Sequence, residues 1–384
     1  MKNSYYYLLI ATTYAVLRIG VSWAEFSYNK LKKEMEVKKD IQSPPQVLHK
    51  PSIPWWIRLY LSAYSAITDA SRRRNGTVNR RLLSMFIVKS PPTRNPVNGV
   101  KSSDVTVDPS RDLWFRLFVP TSTDAQDSDS LPVIVFFHGG GFAFLSADTK
   151  EYDAVCRRIA RKVMAVVVSV NYRLAPEHRY PAQFDDGFDV LKFLDDEQSK
   201  GILPGNADIS RCFLAGDSAG ANLAHNVARR ASEASFRELK VIGVVAIQPF
   251  FGGVKRTAAE RRLVKVDPVV SVELTDWAWK AFLPATGEGM VVDRDHEVAN
   301  VSGPRAVDIS KLDFPATMVV VSGFDPLQDW QRRYYEWLKR SGKETYLLEY
   351  PNMIHAFYLF PQLPESLHVI QQVKDFIHKQ CSKC

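Results

Sequence analysis

At 384 residues the chain is long enough to bury a large core, as one large α/β domain with insertions or as two smaller ones. Its composition, 46% hydrophobic and 24% charged, is ordinary for a globular protein. The formal net charge of +8 comes from scattered residues and short clusters such as Arg72-Arg73-Arg74, without the basic face and motif of a nucleic-acid binder.

In chain order, Lys2 precedes an apolar run from Tyr5 to Leu17, and Ser22-Trp23-Ala24 sets small residues where a signal peptidase cuts. Arg18 breaks that run, which is also too short to span a bilayer, so membrane association is not expected. Residues 1–24 keep a secretory signal open as an alternative, and Asn75-Gly76-Thr77 and Asn300-Val301-Ser302 are glycosylation sequons. Gln42 to Pro54 carries four prolines among polar residues and reads as a linker, so residues 1–54 form an extension. Trp55 to Ala70 then places Trp56, Tyr60, Ala63, Tyr64 and Ile67 on one broad helical face.

Leu113–Val119 reads as the first strand, followed by an acidic, serine-rich loop at Thr121–Ser130. The pattern then alternates. Strands are expected at Leu131–Phe137, Ala165–Asn171, Arg211–Ala215 and Val241–Gln248, with helices at Tyr152–Lys162, Phe184–Asp196 and Ala221–Arg230 between them. Strands Val319–Gly323 and Thr345–Glu349 follow, each leading into a helix, Trp330–Ser341 and Leu367–Lys379. Val/Ile runs without alternation are those of strands covered on both faces, and strand–helix alternation makes the sheet mostly parallel. Val254–Leu312 breaks the rhythm and reads as a helical insertion over the sheet's carboxyl edge, where open α/β sheets bind ligands. Its Trp277, Trp279 and Phe282, with Trp55 and Trp56, supply either an apolar substrate pocket or the packing of a cap onto the sheet.

Two glycine motifs carry the chemistry. His138-Gly139-Gly140-Gly141 closes the strand ending at Phe137, and Gly216-Asp217-Ser218-Ala219-Gly220 lies between a strand and a helix. G-x-S-x-G at a strand-to-helix turn is a nucleophile elbow, and HGGG is its usual oxyanion partner; together they point to an α/β-hydrolase fold. A serine hydroxyl is a poor nucleophile until a base takes its proton. In this fold the partners follow in the order serine, acid, histidine. Four histidines follow Ser218: His296 sits among charges, and His368 and His378 fall in the terminal helix and read as surface residues. His355 hangs in the loop after Thr345–Glu349, where a base belongs, while His225 on the elbow helix reads as packing. Asp325 comes first after Val319–Gly323, with Pro326 stiffening its loop; Asp329 reads as a helix cap. The expected site is therefore Ser218 as nucleophile, His355 as base and Asp325 as the acid that orients it. Backbone N–H groups of Gly140, Gly141 and Ala219 form the expected oxyanion hole, with His138 and Gly139 orienting its loop. No metal or cofactor is expected. The four cysteines lack zinc-finger spacing: Cys156 and Cys212 read as buried thiols, and the C-x-x-C of Cys381 and Cys384 as a frayed tail.

These residues resemble a known family. Phe136-Phe137-His138-Gly139-Gly140-Gly141-Phe142, Ser169-Val170-Asn171-Tyr172-Arg173-Leu174-Ala175-Pro176-Glu177, Gly216-Asp217-Ser218-Ala219-Gly220 and Gly323-Phe324-Asp325-Pro326-Leu327 look like the plant carboxylesterases of the hormone-sensitive-lipase branch, the group that includes the gibberellin receptors. The resemblance covers roughly Trp55 to the C-terminus. It implies an α/β-hydrolase domain over residues 55–380, with a cap from about 55–110 and 254–312, acting on a small-molecule ester in the cytoplasm or nucleus. Residues 1–54 depart from that family, whose members begin near the Trp55 helix. The receptors also share a segment like Arg73–Arg80, but they carry HGGS for HGGG and lack the triad histidine, whereas this chain has Gly141 and His355. The alternatives are thus a receptor-like binding protein and a non-hydrolytic enzyme of specialised metabolism built on the same triad.

Overall fold

The computed structural model describes residues 50–73, 75–121, 130–196, 201–284 and 292–383. The apolar run and signal-like triplet near the N-terminus, and Cys384, lie outside the described residues.

The chain enters through helix α1 (Trp55–Ser71) and the short α2 (Arg80–Ser84), then lays down β1 (Val100–Asp108), β2 (Leu113–Pro120) and β3 (Leu131–Phe137). Helix and strand then alternate through α3 (Lys150–Ile159), β4 (Val166–Asn171), α4 (Ala182–Asp195), β5 (Ala207–Asp217), α5 (Ala219–Ser232) and β6 (Val241–Ile247). Helices α6 (Ala258–Arg262) and α7 (Val272–Phe282) fall in the insertion. The last elements are β7 (Ala316–Ser322), α8 (Gln328–Arg340), β8 (Thr345–Tyr350) and α9 (Pro364–Cys381).

The strands make one sheet in the order β1-β2-β4-β3-β5-β6-β7-β8. β1 with β2 and β2 with β4 are antiparallel, and all other neighbours are parallel. Successive side chains of a strand point to opposite faces. Val133, Val135 and Phe137 of β3 therefore enter one apolar layer with Val190, Leu223 and Tyr334 of α4, α5 and α8. Ile134 and Phe136 enter the other, with Ile57, Val155 and Val373 of α1, α3 and α9. Helices cover both faces, which is why the strand sequences carry no polar alternation.

The structure departs from the sequence reading at two places. Residues 100–110 do not belong to the cap: Val100–Asp108 is a sheet strand, paired in register from Val100 against Pro120. An edge strand needs polar exposed positions, and Lys101, Ser103 and Asp104 make it read as a loop. On α1 the fully buried apolar residues are Ile57 and Leu61, with Tyr60 and Ile67 flanking them, so the helix is turned slightly from the expected face. Of the two roles expected for the aromatic residues, the contacts show packing of the insertion against the loops at the sheet's carboxyl edge. Phe282 stacks on Phe142 at 3.8 Å and Trp279 on Phe250 at 4.2 Å, while Trp55 is 76% exposed.

Cys156 and Cys212 are buried free thiols. Of the two sequons, Asn300 is closed, because it is buried and its side-chain amide donates to Asp295 at 2.9 Å; Asn75 is exposed. Among the described residues no helix is long and apolar enough to cross a membrane.

Candidate active site

The carboxyl ends of β3, β5, β7 and β8 bring the chemically active residues to one edge of the sheet. Ser218 sits at the tip of the turn between β5 and α5 with φ 53° and ψ −118°, a conformation that L-residues avoid, and is 8% exposed. Main-chain bonds hold the strained turn: Ser218 N donates to Ile247 O at 2.9 Å, and Ser218 O accepts from Phe250 N at 2.9 Å. The flanking glycines are steric requirements, since a Cβ at Gly220 would lie 2.0 Å from Phe137 O and one at Gly216 2.4 Å from Gly220 O.

The loop after β3 turns through Gly140 (φ 104°) and Gly141 (φ 59°). Among the described residues, the N–H groups of Gly140, Gly141 and Ala219 donate to no protein acceptor. Unpaired N–H groups this close together in a largely buried region are rare unless a ligand is to be met there. Gly139, by contrast, is tied down. Its N–H donates to Tyr152 Oη at 2.7 Å, and that hydroxyl donates to Asp217 Oδ2 at 3.0 Å. The carboxylate beside Ser218 thus anchors the loop that carries the free amides. Burial raises Asp217 to about 6. His138 is wholly buried; its ring stacks on Tyr172 at 4.2 Å, and the Tyr172 hydroxyl donates to His138 O at 2.7 Å. Burial lowers it to about 4, so it is a neutral strut at physiological pH.

His355 and Asp325 are brought together, with Nδ1 2.7 Å from Oδ2 and both side chains buried. A carboxylate only accepts, so Nδ1 is the donor and the lone pair of the neutral ring lies on Nε2. Asp325 is itself fixed by Leu327 N on Oδ1 and Gln331 Nε2 on Oδ2, each at 2.8 Å. Two residues the sequence did not single out hold the peptide around His355. Gln248, at φ 47° just past β6, donates to Ile354 O at 2.9 Å and accepts from Ala356 N at 2.7 Å. Asp267, from the insertion, accepts the His355 N–H at 2.7 Å. Gln248 follows the residue that receives the Ser218 N–H, so the elbow and the histidine loop share one support. Among the described residues no hydrogen bond joins Ser218 Oγ to His355 Nε2; such contacts commonly tighten only when substrate is bound. Burial alone would lower His355, but the charge and hydrogen bond of Asp325, then the charges of Asp267 and Asp217, outweigh it and raise the imidazole above its ordinary value.

The remaining candidates stand apart. His225 is buried against Tyr334, Phe251 and Phe314, bonds the Tyr334 hydroxyl at 3.0 Å, and is lowered to about 3 by burial. His368 and His378 are exposed on α9, and His296 stands edge-on to Tyr180. Asp329 lies in the first turn of α8, but it caps a neighbour instead of its own helix, accepting Ala259 N of α6 at 2.8 Å. The basic segment near α2 is structural: Arg80 pairs with Glu177 and donates to Ala143 O and Ala175 O, strapping α2 to the loop beyond Gly141. Among the described residues no group of three or more His, Cys, Asp or Glu could hold a metal.

Comparison with known proteins agrees with this architecture. A family model for the alpha/beta hydrolase fold matches residues 134–359, which include both glycine motifs and all three triad candidates. The chain belongs to the α/β-hydrolase family. Within that family it is 41% identical over 343 residues to the gibberellin receptor GID1C of Arabidopsis thaliana, covering 86% of this chain and 96% of the receptor. It is 36% identical over 282 residues to carboxylesterase 20 of the same plant, covering 71% of this chain and 83% of that protein. The esterase of Pyrobaculum calidifontis superposes with a TM-score of 0.62 at 27% identity, covering 85% of this chain and 93% of the esterase. This α/β-hydrolase thus stands in the branch that holds both plant carboxylesterases and gibberellin receptors.

Proposed function

We propose that this α/β-hydrolase is a carboxylesterase acting on a small to medium carboxylic ester through Ser218, His355 and Asp325. The observation that carries the reading is the buried His355–Asp325 pair at 2.7 Å on the same sheet edge as the Ser218 elbow and three unpaired N–H groups. In the mechanism this implies, His355 Nε2 takes the hydroxyl proton as Ser218 Oγ adds to the ester carbonyl. The developing oxyanion is met by the N–H groups of Gly140, Gly141 and Ala219. His355 then returns the proton to the leaving alcohol, and water, activated by the same base, releases the acyl group. Asp325 orients the ring and stabilises the imidazolium without taking the proton. Every step uses side chains and amides of the chain itself.

The test is hydrolysis of p-nitrophenyl acetate by the purified chain. Release of p-nitrophenol that disappears in Ser218→Ala supports the reading, and folded protein without turnover defeats it. The gibberellin-receptor relatives favour a second reading, a ligand-binding protein on the same scaffold. A binding protein has no use for an imidazole oriented by a buried carboxylate, which argues for the enzyme. A relative named 2-hydroxyisoflavanone dehydratase, 31% identical over 318 residues, keeps non-hydrolytic chemistry as the third possibility, separated by analysing products for elimination.

Gly140→Ala tests the oxyanion hole, whose donors no side-chain deletion can remove. At φ 104° a Cβ would lie 2.3 Å from Phe144 O, so the loop must shift and its amides with it. Turnover of p-nitrophenyl acetate is expected to fall by about 10²- to 10³-fold, as for loss of one oxyanion donor, with a smaller change in KM.

A further inference from the structure

Resting on the esterase reading above, we propose that Asp267 is a positioning residue for the base: it holds the main chain of His355 while Asp325 holds the ring. It does so from the cap insertion and not from the sheet, so the cap helps to set the catalytic geometry as well as covering it.

The contacts of Asp267 are divided between two tasks. Oδ2 accepts the His355 N–H at 2.7 Å, and Oδ1 accepts Val269 N at 2.7 Å and Val270 N at 3.0 Å. One carboxylate therefore fastens the histidine loop to the segment that leads into α7. Ser271 begins that helix as its cap, its hydroxyl accepting Leu274 N at 3.1 Å. Further along α7, a Cβ built on Gly141 would lie 3.3 Å from Ala278 Cβ, Trp277 stacks on Phe144 at 5.5 Å, and Phe282 stacks on Phe142 at 3.8 Å. The stretch from Asp267 to Phe282 thus touches the base at one end and the oxyanion loop along its length. A rigid helix spanning the two fixes their separation, and misplacement by about 1 Å is enough to cost about 10²-fold in rate.

Asp267 also acts through charge. Three carboxylates face His355: Asp325 from the loop after β7, Asp267 from the insertion, and Asp217 from the end of β5. Asp267 is 6% exposed, and burial followed by repulsion from Asp325 raises it to about 6, so above that pH it is mostly ionised. A negative charge beside the ring favours imidazolium. Removing it lets the neutral base persist to lower pH.

The experiment uses the full chain with p-nitrophenyl acetate, comparing Asp267→Asn and Asp267→Ala with the wild type. Asparagine keeps one accepting oxygen, which cannot serve both the His355 N–H and the Val269–Val270 pair; alanine keeps none. The expected result is a fall in kcat of about 10- to 100-fold with KM little changed. The acid limb of kcat/KM moves down by about one pH unit in the asparagine variant. A residue that only shaped the cap loop would lower Tm or raise KM and leave that limb in place. Wild-type kcat and an unmoved limb in Asp267→Asn therefore overturn the proposal while leaving the esterase reading intact. If the wild-type chain itself turns over no ester, that reading fails separately. The ¹⁵N-imidazole titration of His355 then decides for Asp267, a lower midpoint in Asp267→Asn supporting it and an unchanged one overturning it. Should Asp267→Ala not fold, the asparagine variant alone carries both measurements.

Discussion

Ser218→Ala is expected to abolish ester hydrolysis, by about 10⁶-fold in kcat if the triad works as a unit, while leaving the protein folded. The two halves of that expectation rest on different atoms. The elbow is held by the backbone of Ser218, whose N–H reaches Ile247 O and whose carbonyl accepts from Ala221, Asn222 and Phe250. Alanine keeps all four bonds and tolerates φ 53° no worse than serine does. The hydroxyl, by contrast, is the only group in the proposed mechanism able to form the acyl-enzyme. Thermal melting should match the wild type, a fluorophosphonate probe should no longer label the chain, and p-nitrophenol release should drop to background. Turnover that survives in Ser218→Ala would move the nucleophile elsewhere and sink the mechanism.

What the sequence made legible follows from where its signals are local. The doubly covered strands announce themselves because every residue of β3 is buried, leaving a continuous apolar run. The elbow and the glycine loop are legible because steric need fixes residue type: any side chain at Gly216 or Gly220 meets backbone within 2.4 Å. Less legible were residues whose partners are remote in the chain. Gln248 and Asp267 reach the His355 peptide across separations of 108 and 88 residues, and nothing near either one marks it. Tyr152 was placed on a helix, but its hydroxyl bridge from Gly139 to Asp217 depends on where tertiary packing brings that helix, against residues 13 and 65 positions away. Strand β1 was hidden for the opposite reason, since an edge strand can keep a polar face that composition alone assigns to a loop. The insertion was legible as an interruption of rhythm; its contact with the His355 peptide was not.

The choice of acid yields the second large effect. Asp325→Asn is expected to reduce kcat by about 10⁴-fold, whereas Asp329→Asn should stay close to the wild type. Asp325 accepts three hydrogen bonds, from Leu327 N on Oδ1 and from Gln331 Nε2 and His355 Nδ1 on Oδ2, and as a carboxylate both its oxygens accept. An asparagine has one accepting oxygen and an amide that can only donate. With the oxygen kept on Leu327 N, the amide faces Nδ1 and selects the tautomer that carries its proton on Nε2. That ring presents a proton to Ser218 where it should present a lone pair, so the base is disabled although the geometry survives. Asp329 meets a different demand. It accepts a single N–H, from Ala259, and asparagine caps a helix about as well as aspartate. Measured side by side on p-nitrophenyl acetate, the two variants should differ by several orders of magnitude in kcat at similar Tm. Equal activity in both, or loss in Asp329→Asn alone, would remove Asp325 from the triad.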